Sequence, residues 1–119
     1  GEALTRAFFE ACRAGDAAAL GAMLAADVTL RSDGGGKVLA FPNAIHGVDR
    51  LIRLYLGLSR KLGPQMEFLG HAMIDGLPGF LSRVDGHLQT TAVEIVDGRI
   101  AAIYITRNPD KLTSLALPN

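Results

Sequence analysis

An acid, three glycines and a lysine, the residue types of a phosphate-binding loop, occur together as Asp33, Gly34, Gly35, Gly36 and Lys37. A P-loop, however, has four residues between its glycines and a Ser or Thr after its lysine. Val38 follows Lys37, and no upstream glycine has the required spacing. The run is therefore either a turn between two strands, a common use of glycine, or a loop that docks a partner.

A second polar segment follows the last predicted strand and consists of Asn108, Pro109, Asp110, Lys111 and Leu112. Pro109 has no N–H to donate to a strand ladder, so the segment ends the strand. Its charges of both signs, like those of Asp33 and Lys37, also suit the polar rim of a protein interface. Ending a strand and contacting a partner both stay open as roles.

Proton transfer has three candidate residues, Asp33, His46 and His71. An imidazole titrates near neutral pH, so either histidine can act as an acid or a base, with a purely structural role as the alternative. His46, His71 and His87 belong to separate predicted elements and lack the helical pairing of metal ligands. We therefore expect neither a metal site nor a cofactor, and we expect Cys12 to be a buried apolar side chain.

A ligand pocket is the third kind of site that the sequence suggests. Six residues would provide an apolar lining with a few polar groups, which is typical of small-molecule pockets. They are Tyr55, Met66, Phe68, His71, Gln89 and Tyr104. A chamber of this composition would take a small apolar ligand, whereas ordinary core packing is the alternative.

Helical spacing of apolar residues predicts three helices that would position these groups. The first covers Leu4 to Cys12, and Gly15-Asp16 then ends it and caps a second short helix. The strongest amphipathic pattern covers Val48–Leu62. Gly63-Pro64 follows it, and this pair is typical of a helix C-terminus.

Strands are predicted on both sides of the long helix. A first strand is expected over Ala26–Arg31 and a short extended piece over Val38–Phe41. Three turn dipeptides then separate aliphatic runs, at Asp75-Gly76, Asp85-Gly86 and Asp97-Gly98. They predict a meander of four antiparallel strands over Met66–Asn108, with apolar residues on both of its faces.

The charge balance limits the classes of partner. Twelve basic and twelve acidic residues give a net charge of +0. The chain therefore lacks the positive field that attracts nucleic acid, and we expect no direct nucleic-acid binding. A single cysteine excludes an internal disulfide, and no apolar run approaches the roughly 18 residues of a membrane span. We expect a cytoplasmic protein without membrane contact.

The length of 119 residues predicts one domain, residues 1–119, with one hydrophobic core. Nearly half of the residues are apolar, 49%, which is sufficient for such a core. The chain opens Gly1-Glu2-Ala3-Leu4, without an initiator Met or a signal-peptide pattern. We expect this domain to be excised from a longer protein.

The order of elements resembles the NTF2-like superfamily, which includes SnoaL-like cyclases and ketosteroid isomerases. The resemblance covers nearly the whole chain and is carried by Phe8 to Asp16, Ala26 to Leu30 and Asp97-Gly98-Arg99-Ile100. It implies an α+β fold, a cone in which about three helices pack on a curved antiparallel sheet.

Three segments in order also resemble SigJ-type extracytoplasmic-function sigma factors, in which such a domain is fused behind two sigma regions. They are Asp33–Lys37, Gly76–Phe80 and Asn108–Leu112. The resemblance implies a regulatory C-terminal domain that contacts the sigma regions of its own polypeptide and modulates how they engage RNA polymerase and promoter DNA. The partner contacts are then Asp33–Lys37 and Asn108–Leu112, and exposed aliphatic sheet would suit a homodimer.

A stand-alone SnoaL-like polyketide cyclase or ketosteroid-isomerase-like enzyme is the alternative. Such isomerases abstract a proton with a carboxylate while a Tyr and a protonated acid stabilise the enolate. By the resemblance, Phe8 occupies the position of that Tyr, Ser32 that of the base, and Thr91 lies near that of the acid. Asp33 is one residue late, and such a slip turns a side chain to the other face of a strand. We therefore expect no isomerase or cyclase activity.

Overall fold

Two helices begin the chain, and the computed structural model describes residues 2–33 and 44–107. Helix α1 spans Glu2–Ala14 and helix α2 spans Ala17–Met23. The carboxylate of Asp16 accepts a hydrogen bond of 3.1 Å from the N–H of Ala19, so it caps α2 as predicted. Phe8 and Cys12 lie on the buried stripe of α1, which confirms the apolar spacing of that helix.

Helix α3 spans Val48–Leu62 and continues into a 3₁₀ turn over Gly63–Gln65. It buries Leu51 and Tyr55 on the core side, as its amphipathic pattern predicts. The hydroxyl of Ser59 donates a hydrogen bond of 2.8 Å to the carbonyl of Arg13. This bond connects the C-terminal end of α3 to the C-terminal end of α1.

The predicted meander is present as four antiparallel strands joined by two-residue turns. These strands are β3 (Met66–Ile74), β4 (Leu77–Val84), β5 (His87–Val96) and β6 (Arg99–Thr106). Each turn has its Asp at a φ of 52 to 53° and its Gly at 78 to 82°. Two successive positive φ angles define the type I′ turn, which matches the twist of the flanking strands.

The sheet has two further strands, β1 (Leu24–Asp33) and β2 (Ile45–His46), and its order is β2-β1-β6-β5-β4-β3. Strand β1 runs parallel to β6, so the sheet is mixed and not wholly antiparallel as expected. No hairpin joins these two strands, and therefore no local turn signal sets their relative direction. The expected extended piece over Val38–Phe41 lies outside the described residues.

The helices cover one face of the curved sheet, which we call the inner face, and enclose the core against it. An aromatic cluster fills this layer, with the Phe80 ring centroid 5.6 Å from that of Phe9 and 5.5 Å from that of Phe68. The register of β3 against β4 shifts between Phe68 and Gly70. This bulge places Phe68 opposite Ser82 and His71 opposite Phe80, so both residues share the inner face.

Two glycine substitutions test the close packing of this sheet. A Cβ on Gly79 would collide with the carbonyl oxygen of Thr91 and lie 2.9 Å from the Ile74 side chain. Gly79→Ala is therefore expected to lower the free energy of unfolding by about 1–3 kcal/mol. The control, Gly57→Ala in α3, meets nothing within 4 Å and should raise it by about 0.5–1 kcal/mol. Denaturant titration measures the free energy of unfolding of both variants, and equal changes in the two would contradict the close packing around Gly79.

Candidate functional site

An interior cavity lies between helices α1 and α3 and the inner face of the sheet. Its apolar lining includes Phe8, Cys12, Tyr55, Met66, Phe80 and Ile105, and its polar lining consists of Ser82, Gln89 and Thr91. The cavity measures about 20 Å³, which is room for about one water molecule. Among the described lining residues there is no carboxylate and no imidazole.

The polar lining carries buried atoms that lack partners. Ser82 and Gln89 lie directly opposite each other on β4 and β5. Both side chains are buried, and neither Ser82 Oγ nor Gln89 Oε1 has a hydrogen-bond partner among the described residues. Leaving such groups unpaired costs free energy, so this end of the cavity is suited to a molecule that forms hydrogen bonds.

Arg107 follows the last residue of β6, and the pairing of Thr90 with Thr106 brings it level with Gln89. It is only 4% exposed, and its Nε and Nη1 atoms have no hydrogen-bond partner among the described residues. Burial lowers the pKa of the Arg107 guanidinium, while the carboxylate of Asp85 acts in the opposite direction. Asp85 lies in the turn between β4 and β5 and forms no ion pair within 4 Å in the described part of the chain.

The two titratable groups that line the cavity in the described part of the chain, Cys12 and Tyr55, are neutral. Burial raises the pKa of the Tyr55 hydroxyl well above its usual value, and the nearby Cys12 adds to this shift. Burial also raises the pKa of the Cys12 thiol. Both side chains therefore stay protonated at neutral pH, and Cys12 is buried as expected, without the thiolate character of a nucleophile.

A second concavity lies on the opposite face of the sheet, which we call the outer groove. It measures about 420 Å³ and is lined by residues of five strands, β1 and β3 to β6. Its lining includes Arg31, Ile74, Leu77, Ala92, Tyr104 and Thr106. Tyr104 alternates with the buried Ile103 and Ile105, and it therefore faces away from the helices.

The structure separates the six residues predicted to line one pocket. Tyr55, Met66 and Gln89 surround the interior cavity. Phe68 lies beside it in the aromatic cluster, with the Arg6 guanidinium 4.1 Å from its ring centroid. Tyr104 belongs to the outer groove.

His71, the sixth of these residues, is exposed on β3. Its ring centroid lies 5.0 Å from that of Phe68, and its Nδ1 lies 3.4 Å from the hydroxyl oxygen of Thr5. His46 is an exposed residue of β2. The two histidines proposed for proton transfer are therefore not brought together in the cavity.

Most residues of the two polar segments lie outside the described part of the chain, but the strands that lead into them, β1 and β6, are described. Asp33 is the last residue of β1, and Thr106 is the last residue of β6. These two are Cα partners in the parallel pair. The C-terminal ends of β1 and β6, which precede the undescribed residues of the two segments, therefore lie side by side at one end of the sheet.

The positions equivalent to isomerase catalytic groups have different surroundings. Phe8 is fully buried, with its ring centroid 5.7 Å from that of Tyr55. Thr91 is buried in the cavity lining, and Ser32 contributes to the outer groove. Sequence reasoning missed Ser82 and Arg107, although alternation along their strands places them on the face of Phe80 and Ile105.

Among the described residues, no helix is long and apolar enough to cross a membrane. In the same part of the chain, no three His, Cys, Asp or Glu side chains are grouped closely enough to hold a metal ion.

Comparison with known proteins identifies the class of the domain. No family model matches the chain. A SnoaL-like protein from Burkholderia thailandensis superposes with a TM-score of 0.70 at 15% identity, covering 87% of this chain and 90% of that one. A candidate polyketide cyclase from Sinorhizobium meliloti gives 0.66 at 20% identity, covering 86% and 92%. These likenesses concern the fold alone, which is the fold of SnoaL-like and NTF2-like proteins.

One relative is more specific. The extracytoplasmic-function RNA polymerase sigma factor SigJ of Mycobacterium tuberculosis is 33% identical over 90% of this chain, and the chain spans 37% of its length. The crystal structure of SigJ superposes with a TM-score of 0.74 at 27% identity, covering 98% of this chain and 45% of that one. The chain is thus homologous to part of SigJ and has the fold of SnoaL-like and NTF2-like proteins, which confirms the resemblance to SigJ-type sigma factors.

The unpaired hydroxyl of Ser82 predicts an unusual effect on stability. Ser82→Ala removes a buried group without a partner and should raise the free energy of unfolding by about 1 kcal/mol. In the control, Thr5→Val, the lost hydroxyl donates a 3.0 Å hydrogen bond to the carbonyl of Glu2, so stability should fall by about 1 kcal/mol. Thermal melting of both variants measures the difference. A loss of stability in Ser82→Ala would mean that Ser82 is already satisfied.

Proposed function

We propose that the chain is the regulatory C-terminal domain, residues 1–119, of a longer extracytoplasmic-function sigma factor. In this role it modulates sigma-dependent transcription initiation by contacting the sigma regions of the same polypeptide. RNA polymerase is then a partner of the whole factor, in the cytoplasm, and promoter DNA is bound by the sigma regions and not by this domain. The homology to SigJ, which extends over 90% of the chain, is the starting point.

The outer groove adjoins described residues of, or next to, the three SigJ-like segments, and this proximity carries the proposal. Asp33 begins the first segment and is the Cα partner of Thr106, two residues before the third segment begins at Asn108. The second segment, Gly76–Phe80, contributes Leu77 to the outer groove, where Thr106 also lies. Leu77, Thr106 and the strand partner of Thr106, which are distant in sequence, thus lie in or beside one concave surface, as expected for a single docking site.

The chemistry of the outer groove suits contact with another protein part. Ile74, Leu77 and Tyr104 supply apolar and aromatic surface, while Arg31 and Asp75 supply charges of opposite sign at its rim. Protein interfaces combine an apolar and aromatic centre with a polar rim in this way. Mixed charges also favour one docking orientation over others without attracting nucleic acid.

The rival function as an enzyme has less support. Ketosteroid-isomerase chemistry needs a carboxylate that accepts a proton inside the cavity. The described lining offers Ser82, Gln89 and Thr91 instead, together with the neutral Tyr55 and Cys12. None of these side chains is a base at neutral pH.

Charge reversal in the outer groove tests the docking role. Arg31→Glu in the full-length factor should change promoter-dependent transcription several-fold, because a reversed rim charge opposes the docked orientation. Arg31 is exposed, so the isolated domain should keep its melting temperature. The control, Arg50→Glu, makes the same change at an exposed site on α3 and should leave transcription at the wild-type level.

The polar segments provide a second set of variants for the same assay. Gly35→Val, or Lys37→Glu combined with Lys111→Glu, should also alter transcription while the isolated domain stays folded. Unchanged transcription in these variants and in Arg31→Glu would remove the docking role. If the isolated domain instead forms a stable dimer that Arg31→Glu disrupts, the outer groove binds a second copy and not the sigma regions.

A further inference from the structure

The buried polar atoms without partners are concentrated at one place in the described part of the chain. They are Ser82 Oγ, Gln89 Oε1, and the Nε and Nη1 atoms of Arg107. All three residues are at least nine-tenths buried. Because native proteins pair nearly all such atoms, a group of four in one region indicates a binding site more than a packing defect.

Strand register aligns these three residues in a row on the inner face, which we call the polar row. Ser82 pairs with Gln89 across β4 and β5. Thr90 pairs with Thr106 across β5 and β6, so the antiparallel register brings the following Arg107 level with Gln89. Ile105 lines the interior cavity, and strand alternation extended one residue past the end of β6 assigns Arg107 to the same side.

The hydrogen-bonding capacity of the row defines its complement. Arg107 has only donors, the Ser82 hydroxyl can donate, and Gln89 Oε1 only accepts. A buried guanidinium is stabilised most effectively by an anionic oxygen acceptor, and carboxylates are the usual partners of Arg. A matching molecule therefore carries a carboxylate together with one O–H donor.

We propose that the polar row binds a small hydroxycarboxylic acid with a short apolar tail. Arg107 and Ser82 donate to its carboxylate, and its hydroxyl donates to Gln89 Oε1. The tail lies against Met66 and Ile105 in the interior cavity. This inference goes beyond the docking role proposed above and does not depend on it.

Entry of such a molecule requires the cavity to widen, since its present volume of about 20 Å³ holds about one water. Leu58 and Leu62 of α3 form a wall shared with an external groove of about 540 Å³. Rotation of these two side chains would join the groove to the cavity, and the unbranched Met66 can adapt its shape. Arg53 and Lys61 line the external groove, and their charges would attract an anion to its mouth.

Titration of the 119-residue chain with defined acids tests the proposal. Isothermal calorimetry would compare 2-hydroxyhexanoate with hexanoate and with 1-hexanol, and methyl NMR would follow Met66 and Ile105. The hydroxy acid should bind most tightly and shift both methyl signals. Arg107→Met should weaken its binding at least about tenfold, since a charge-assisted hydrogen bond is lost. Gln89→Leu should abolish the preference for the hydroxy acid over hexanoate.

Controls separate binding from folding. Arg50→Met removes the same charge from an exposed site on α3 and should leave binding unchanged. Melting temperatures would show whether Arg107→Met is folded. If this variant is unfolded, the methyl shifts of the unaltered chain decide whether the acid binds in the cavity. Three outcomes would each overturn the proposal. They are equal binding of 1-hexanol, undiminished binding in folded Arg107→Met, and the absence of methyl shifts at millimolar acid. The third would mean that the polar row binds only water. None of these outcomes involves the sigma regions.

Discussion

The direction of side chains across strands β4, β5 and β6 is the constraint on which both concave surfaces depend. Successive residues of a strand face opposite sides, so a slip of one residue would exchange the two faces. Three two-residue type I′ turns connect β3 to β6 and prevent such a slip. With this register, Gln89 and Ile105 face the helices while Tyr104 faces the outer groove.

On the inner face, residues that would bind the proposed ligand lower the stability of the fold. Its aromatic and aliphatic side chains are packed closely enough to leave a cavity of only about 20 Å³. Ser82, Gln89 and Arg107 nevertheless occupy positions on this face where apolar residues would be more stable. Natural proteins tolerate such local losses mainly at functional sites, because a ligand can supply the missing hydrogen bonds. In our proposal, the core therefore contributes to folding and, at one end, to recognition.

Local signals predicted much of the fold, and non-local packing explains the rest. The Asp16 cap and the three Asp-Gly turns depend on adjacent residues, so the helices and hairpins are recognisable in the sequence. The parallel pairing of β1 with β6 depends on the whole chain, and no turn signals it. The bulge between Phe68 and Gly70 likewise arises from packing, and it determines which face His71 shares. The face on which Tyr104 lies is predictable from the sequence, because Tyr104 alternates with Ile103 and Ile105 along the strand.

The chain has two tyrosines, and their nitration tests most directly whether the outer groove docks on the sigma regions. Tyr104 lies in the outer groove, whereas Tyr55 is buried in the core and serves as an internal control. Mass spectrometry after tetranitromethane treatment should find Tyr104 modified in the isolated domain and strongly protected in the full-length factor, with Tyr55 unmodified in both. Equal nitration of Tyr104 in the two proteins, at protein concentrations where both are monomers, would contradict docking through this surface.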